Sequence, residues 1–270
     1  MHIIMYHPED DHTRLGDFLI YLAKSGHRTQ VLWNKHIKNT TRAFTKHVRD
    51  VDFVFMWTGR GGHCTALRKF CADHGISSGV IGPSLIDPQC LTLDTTGVGP
   101  DSDLGQPPPN IVLNVHYKVL ENIRGMQRKS RPREPQGYVL FSLPSREELL
   151  LNYKGLDTAG CVAAVADRFK GLHLVVWTAD PGSSPGIDTV SGEWLDHVRC
   201  AWLVYGVENA KLYAAALYGA PVMVEGPGLL RTHAHNPDWL MAAAISRHIP
   251  ENAKDFSQHL SLVFGKSTFS

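Results

Sequence analysis

Acidic side chains follow the first predicted strand of the chain. The segment His7-Pro8-Glu9-Asp10-Asp11-His12 comes directly after the apolar run HIIMY at 2–6. Neighbouring carboxylates raise one another's pKa, and such a carboxylate can take a proton from a substrate hydroxyl. Asp10 and Asp11 are therefore candidate general bases. The alternative is structural, because Asp11 and Thr13 are also good N-caps for the helix that follows.

A glycine-rich turn, Thr58-Gly59-Arg60-Gly61-Gly62, lies between the third predicted strand and a helix. Glycines let the backbone approach a ligand closely, and the N–H groups at a helix start favour an anion. The turn matches neither the GxGxxG pattern nor a P-loop. We interpret Gly59, Arg60, Gly61 and Gly62 as a candidate anion or acceptor loop, with a tight strand-to-helix turn as the alternative.

Cations and a histidine in the second half of the chain are placed to bind an anionic ligand. Ser145 and Arg146 follow the first predicted strand of that half, and Arg231 and His233 follow its last strand. An arginine can hold a diphosphate with two parallel hydrogen bonds. These four residues are candidate donor-binding residues, and an exposed loop is the alternative for each.

Two short motifs have residue types that bind metals, Asp101-Ser102-Asp103 and His233-Ala234-His235. Acidic triplets arise often by chance in loops rich in Gly and Pro, and the histidine pair lacks a nearby third ligand. We therefore predict no metal site and no bound cofactor. The chain also lacks a GxSxG elbow and an HExxH helix, which argues against hydrolases.

The elements that must position these residues alternate along the first half. Apolar runs predict strands, and apolar residues at helical spacing predict helices. The strands are predicted at 2–6, 29–33, 52–57 and 77–82, and the helices at 13–26 and 63–74. Strands that are apolar throughout and separated by helices are typical of a parallel sheet covered on both faces.

The second half repeats the pattern after a loop rich in Pro, Gly and Asp at 83–110 and a helix at 110–125. Its strands are predicted at 138–143, 173–179, 201–206 and 221–226, and its helices at 157–170, 192–199, 208–218, 237–249 and 251–264. The polar segment 126–137 is the predicted linker. We predict an α/β protein with two Rossmann-like domains, 1–125 and 138–270, that face a ligand-binding cleft.

Composition limits the classes of protein. With 270 residues, 43% of them hydrophobic and 20% charged, the chain is an ordinary globular protein rather than a disordered or fibrous one. No apolar run approaches the roughly 20 residues that span a bilayer, and the start lacks a signal-peptide pattern. Five cysteines at irregular spacing, without a CxxC pair, argue against a disulfide framework. We expect a cytoplasmic protein without a membrane span.

Three segments follow one another in an order that fits a known family. They are Phe55–Gly59, which ends in Trp-Thr-Gly, Leu93–Leu104, which contains Asp-Thr-Thr-Gly-Val, and Asn209–Val222, which ends in Leu-Tyr-Gly-Ala-Pro-Val. Together they resemble the GT-B glycosyltransferases of the capsule-polysaccharide, Kdo-transferase-like type. The signatures of that group are Trp-Asn-Gly, Asp-x-x-Gly-Val-Asn and Leu-Glu-Ala-x-x-x-Gly-x-Pro-Val.

The resemblance implies that a sugar is transferred from a nucleotide sugar, which we expect to be a UDP-sugar. The donor would bind the C-terminal domain and the acceptor the N-terminal domain. Asp94, in the second segment, becomes a further candidate base. The glutamate of the donor signature falls on Ala214, so its ribose-binding role is vacant or passes to Glu208 or Glu225. Asn209, next to Glu208, is a further candidate donor-binding residue. The chain is short for that group, which suggests a compact, phage-like enzyme.

In the mechanism that this implies, no metal takes part. Arg146 and Arg231, with helix N-termini, would stabilise the departing diphosphate. A carboxylate of the N-terminal domain would deprotonate the acceptor hydroxyl, with Asp10 or Asp11 preferred and Asp94 next.

Charge is distributed unevenly, although the chain as a whole carries only +1. The segments 35–49 and 118–133 each carry +5, so the remainder carries −9. Such basic stretches can meet a polyanion. The leading hypothesis is therefore transfer to a 5-hydroxymethyl pyrimidine in phage duplex DNA in the host cytoplasm, with Trp33 or Trp57 stacked on the extruded base. The alternative acceptor is a saccharide in glycan or capsule synthesis. The alternative functions are a nucleotide-sugar epimerase and a non-catalytic binding module. The basic stretches could also be only solvated helix faces.

Overall fold

The computed structural model of the chain divides into two compact units, residues 1–108 with 246–270, and residues 109–245. The structure describes residues 1–7, 15–33, 40–48, 50–59, 62–87, 89–98, 102, 104, 110–129, 137–144, 157–178, 187–226, 228–250, 253–265 and 268–269. Asp10, Asp11, Arg60, Gly61, Ser145 and Arg146 lie outside these ranges, so their predicted roles stay predictions.

The first unit is built on a six-stranded sheet in the order β11-β5-β4-β3-β1-β2. Its elements are β1 (His2–His7), α1 (Gly16–Lys24), β2 (Arg28–Trp33), α2 (Thr40–Val48), β3 (Phe53–Trp57), α3 (Gly62–Asp73), β4 (Ser77–Pro83), β5 (Leu91–Asp94), β11 (His248–Ile249) and α10 (Ser257–Phe264). Strands β1 to β4 are parallel, and β5 runs antiparallel to both β4 and β11.

Both faces of this sheet are covered, because successive strand residues point to opposite sides. On one face Ile3 and Met5 of β1 pack with residues of α1 and α10. On the other face Ile4 and Tyr6 pack with residues of α2 and α3. The strands are therefore apolar throughout, which is the pattern that made them visible in the sequence.

The second unit is built on a five-stranded, fully parallel sheet in the order β10-β9-β6-β7-β8. Its elements are α4 (Asn110–Lys129), β6 (Tyr138–Ser142), α5 (Thr158–Arg168), β7 (Leu174–Trp177), β8 (Asp188–Val190), α6 (Trp194–Cys200), β9 (Ala201–Val207), α7 (Ala210–Leu217), β10 (Val222–Glu225), α8 (Leu229–Thr232) and α9 (Pro237–Arg247), whose last two residues fall in the first unit. Side chains of β6 enter separate cores on the two faces of the sheet.

Arg124 of α4 ties three helices of the second unit together. Its guanidinium donates to the carbonyl oxygens of Leu217, at 3.2 Å, and Ala216, at 2.9 Å, and so caps the last turn of α7. It also pairs with Asp238 of α9 at 2.8 Å. One cation of the predicted basic segment 118–133 is therefore used inside the protein.

The predicted α/β class with parallel sheets is confirmed, whereas several short elements were not predicted. Those elements are α2, β5, β8, α8 and β11. β5 lies in the stretch expected to be a loop, and β11 lies at the end of a predicted helix, because their pairing with each other and with β4 outweighs local preference. This pairing also places 246–270 with the first unit, and α4 belongs to the second unit, in contrast to the predicted domain bounds of 1–125 and 138–270.

Within the described ranges, no helix has both the length and the apolar content to cross a membrane.

Candidate functional site

Each sheet contains a switch point, where strands that are close in the sequence lie on opposite sides of one strand. In the first unit β2 and β3 lie on opposite sides of β1, and in the second unit β7 and β9 lie on opposite sides of β6. Ligands of open α/β sheets bind outside the carboxyl ends of the strands at such points. We call the carboxyl ends of β2, β1 and β3 the first rim, and those of β6 and β9 the second rim.

The first rim carries a row of three aromatic rings, Trp33, His7 and Trp57, which we call the aromatic row. His7 lies opposite Trp33 in the register of β1 and β2, and one residue beyond the Tyr6–Met56 pair of β1 and β3. The His7 ring is 4.7 Å from that of Trp57 at 30°, and 6.2 Å from that of Trp33 at 57°. His7 is only 2% exposed, and both indoles are half-buried.

The turn after β3 uses its glycine for packing within the protein. Thr58 and Gly59 both have left-handed backbone conformations, with φ of 55° and 69°. A Cβ on Gly59 would lie 2.9 Å from Arg68 Nη2 and 3.1 Å from the carbonyl oxygen of Thr96. Gly62 opens α3 with open space around it. The expected close approach at Gly59 is therefore made by the protein's own atoms, and an anion-binding role of this turn stays a prediction.

Asp94 is a buried carboxylate, 2% exposed, at the end of β5. Its Oδ1 accepts from the N–H groups of Thr96, at 2.8 Å, and Gly97, at 3.1 Å, and from the Thr96 hydroxyl at 3.2 Å. Its Oδ2 accepts from the Ser102 hydroxyl and from Arg247 at 2.7 Å. These contacts hold the loop that packs against Gly59. A catalytic proton would compete with these donors, and the role of Asp94 as a base stays a prediction.

A buried hydroxyl lies at the second rim. Ser142 is fully buried at the end of β6, and within the described part of the chain its Oγ has no hydrogen-bond partner. It lies opposite Gly206 in β9, where a Cβ would come within 3.2 Å of the Ser142 carbonyl oxygen. An unpaired buried hydroxyl costs free energy, so it marks a place where a ligand atom would be favoured. Sequence reasoning missed Ser142 and chose Ser145 and Arg146 instead.

Glu208 links the second rim to the short helix α8. Its carboxylate accepts from the Leu229 N–H at 2.9 Å, from the Leu230 N–H at 3.0 Å and from the Tyr213 hydroxyl. A Cβ on Gly228 would overlap the Glu208 Oε2 atom. Burial raises the pKa of Glu208, and the hydrogen bonds from Tyr213 and from the start of α8 partly offset this. Glu208 therefore caps the N-terminus of α8, although it lies well before α8 in the sequence.

Asn209 and Glu225, the other candidate donor residues next to strands, make contacts within the protein. The Asn209 side chain caps α7 by accepting from the Lys211 and Leu212 N–H groups, at 3.0 and 3.2 Å. Glu225 accepts from Arg168 at 2.6 Å and from the Tyr205 hydroxyl at 2.7 Å. A ribose-binding role for Glu208 or Glu225, and a donor-binding role for Asn209, stay predictions.

Arg231 and His233 lie in and just after the helix that Glu208 caps. Arg231 is exposed, donates to the Gly226 carbonyl oxygen at 3.1 Å, and lines a concave pocket of about 640 Å³ beside the edge strand β10. The His233 ring stacks on Trp239 at 4.7 Å, and burial, with the charge of His235, lowers its pKa. The structure thus joins Glu208, Arg231 and His233 in one connected segment, whereas Glu225 lies in a separate cluster.

Among the residues that the structure describes, no group of three or more His, Cys, Asp or Glu side chains could hold a metal ion.

The comparisons with known proteins find a similarity of fold. No protein-family model matches the chain, and no curated protein matches it. A solved structure of Thermosulfurimonas dismutans KpsC, beta Kdo 2,7 transferase, matches with a TM-score of 0.60 and 13% identity over 90% of each chain. The fold resembles that of a Kdo transferase. The resemblance predicted from the three sequence segments is therefore confirmed at the level of fold.

Two further solved structures match far less well. D-2-hydroxyisocaproate dehydrogenase has a TM-score of 0.26 and 10% identity over 82% of this chain and 69% of its own. A sugar transporter from Clostridium phytofermentans has a TM-score of 0.28 and 11% identity over 83% of this chain and 79% of its own.

Proposed function

We propose that the chain is a glycosyltransferase that moves a sugar from a nucleotide-sugar donor to a hydroxyl of a saccharide acceptor. The observation that carries this proposal is the fold similarity to KpsC, beta Kdo 2,7 transferase, which extends over 90% of both chains. Because function depends on the site rather than on the fold, the chemistry of the two rims has to support it.

The second rim supports binding of the donor in the second unit, as in a GT-B transferase. It offers the Ser142 hydroxyl at the switch point, to which no described residue is hydrogen-bonded, and α8, held by Glu208, presents Arg231. A cation stabilises the negative charge that develops on the departing phosphate. Arg146, three residues beyond the predicted strand end, is the second cation in this proposal.

The first rim supports binding of the acceptor in the first unit. The half-buried indoles of the aromatic row give a surface for a ring, and Asp10 and Asp11 follow His7 by three and four residues. One of these two carboxylates would take the proton from the acceptor hydroxyl as it attacks the anomeric carbon, with Asp94 as the second candidate. The bond to the donor phosphate breaks as the new glycosidic bond forms, and the nucleotide leaves with the phosphate charge.

A saccharide acceptor is favoured over DNA. The solved structure with the similar fold is named for the transfer of a sugar, Kdo, and neither the structure nor the comparisons support a DNA acceptor, a phage origin or a UDP-sugar in particular. Arg124, one of the cations counted toward a DNA-binding surface, is only 14% exposed and is paired with Asp238. A salt-sensitive DNA contact therefore has fewer available charges than the sequence suggested.

The test is mass spectrometry of products after incubation with UDP-, GDP- and CMP-sugars, including CMP-Kdo, and a panel of saccharides and hydroxymethylated DNA. We expect a glycosylated saccharide, and loss of product in an Asp10→Asn, Asp11→Asn double variant that still folds. Product on DNA alone would replace the saccharide with a nucleic-acid acceptor. An isomerised nucleotide sugar without a transfer product would identify an epimerase. No product with any pair would overturn the proposal.

A further inference from the structure

We propose that the aromatic row is a platform on which a sugar ring of the acceptor stacks, with Trp57 and Trp33 as contacting residues and His7 as a positioning residue. This inference rests on the proposed transferase function and adds a substrate class to the first rim. It depends on the register of three neighbouring strands, which is independent of the fold comparison.

The three rings stand at the same level on one face of the sheet. Residues opposite each other in neighbouring parallel strands point to the same side, and strands lie about 4.8 Å apart, so the row is about 10 Å wide. The row below it on the same face contains Val31, Met5 and Phe55, which belong to the core. The aromatic row is thus the last layer of that core, at the edge where a ligand is expected.

The tryptophans of the second unit show how this row differs from ordinary core packing. Trp177 and Trp194 are 9% and 7% exposed and belong to the core of the second unit. Trp33 and Trp57 are instead half-buried at a rim. An indole combines a large apolar face with a polar N–H, which suits a ligand whose ring has apolar C–H faces and a hydroxyl edge.

His7 excludes one binding mode, in which a flat ring such as a nucleobase is held between the two indoles. A base held between two aromatic rings needs parallel rings with a gap between them. In the first rim the buried His7 ring lies between the two indoles, which are inclined to it by 30° and 57°. The gap is closed, and the indoles offer only their outer surfaces. His7 packs against Trp57 at 4.7 Å and so fixes the orientation of that indole.

The first experiment measures binding without the transfer reaction. Methyl glycosides of glucose, galactose, ribose and Kdo are titrated into the full-length protein, and tryptophan fluorescence is recorded. We expect at least one glycoside to quench the fluorescence, and this quenching to be lost in Trp57→Phe/Trp33→Phe but kept in Trp202→Phe, a variant of an indole 40% exposed on β9. Quenching by none of the glycosides, or by hydroxymethylated DNA alone, overturns the platform.

The second experiment measures kinetics with the acceptor found in the product screen. We expect Trp57→Ala to raise the acceptor KM about tenfold with little change in the donor KM, because one ring stacking contact is lost. Trp57→Phe should restore most of the loss, and His7→Ala should raise the acceptor KM while His7→Phe does so less. Thermal unfolding of each variant checks that it is folded.

Failure of the platform and failure of the transferase function give different results. If the wild type transfers sugar but the acceptor KM is unchanged in folded Trp57→Ala and Trp33→Ala, the platform is wrong and the transferase stands. If the wild type binds glycosides through these indoles but forms no product with any donor, the transferase is wrong and the first rim is a saccharide-binding surface.

Discussion

The two rims have the same topology and opposite chemistry. In the first unit, the Asp94 carboxylate at the end of β5 is satisfied by the protein, and the switch point carries three aromatic rings. In the second unit, the switch point carries the Ser142 hydroxyl, which has no partner among the described residues, and Glu208, directly after β9, caps a short helix. The first rim is therefore lined by aromatic rings, whereas the second rim carries hydrogen-bonding groups.

The largest effect is expected at the carboxylate of the first unit. Asp94→Ala removes the carboxylate to which the buried Arg247 guanidinium donates at 2.7 Å, and removal of one partner of a buried pair costs about 3–5 kcal/mol of unfolding free energy. Urea unfolding measures the loss. The matched control is Asp196→Ala, since the Asp196–Arg199 pair at 3.0 Å is largely exposed and should cost below about 1 kcal/mol. Equal losses in the two variants would show that Asp94 does not hold the loop.

A smaller loss is expected where Glu208 meets α8. Gly228→Ala places a methyl group on the Glu208 carboxylate, and such overpacking costs about 1–3 kcal/mol. The control is Gly125→Ala in α4, which has open space and should stabilise the protein by about 0.5–1 kcal/mol. Thermal unfolding of both variants checks the opposite signs. A Gly228→Ala protein of unchanged stability would mean that Glu208 does not clamp α8.

The next effect is a gain in stability at Ser142, because removal of its hydroxyl should stabilise the protein without ligand. Ser142→Ala deletes a buried hydroxyl without a partner among the described residues, and we expect a gain of about 1 kcal/mol. Ser84→Ala is the control, since that buried hydroxyl accepts from the Ile86 N–H at 3.1 Å and bonds to His248 at 2.8 Å, and its loss should destabilise. Weaker binding of the nucleotide sugar by Ser142→Ala, measured by calorimetry, would accompany the gain. A destabilised Ser142→Ala protein would contradict the expected gain in stability.

The smallest effect is a dependence of stability on pH. Burial raises the pKa of Glu208 in the folded protein above the ordinary 4.5. As the pH rises, the Glu208 carboxyl therefore loses its proton in the unfolded chain before it does so in the folded protein. The stabilisation that this group contributes is complete below the unfolded pKa and is lost as the pH rises through the folded pKa. As the pH rises from below the unfolded pKa through the raised folded pKa, the unfolding free energy of the wild type should fall relative to that of Glu208→Gln. A constant difference would show that the carboxyl is not perturbed.

Several features of the second unit could be read from the sequence because they depend on nearby residues. The predicted helices at 157–170 and 208–218 correspond to α5 and α7, whose N-caps Asp157 and Asn209 bond to groups two or three residues away. The apolar strands β6 and β9 are visible for the same reason. The candidate donor residues Arg231 and His233 were chosen because they follow a predicted strand, and the structure does place them together in and after α8.

Other residues could not be assigned from the sequence because their environment depends on distant partners. Asp94 looked available for catalysis, yet its partner Arg247 lies far along the chain and becomes a neighbour only when β11 pairs with β5. Gly59 looked like part of an anion-binding loop, and its space is taken by Arg68 and Thr96. Ser142 carries no pattern beyond being the last residue of an apolar strand.

The α/β class could be read from the sequence, since apolar strands and amphipathic helices reflect interactions between residues close in the chain. Which side chains share a rim depends on the tertiary structure. Trp33, His7 and Trp57 form one row because of the register between three strands, and Ser142 faces Gly206 because β9 crosses to the other side of β6. Register and strand order depend on packing over the whole sheet, and no local pattern of residues encodes them.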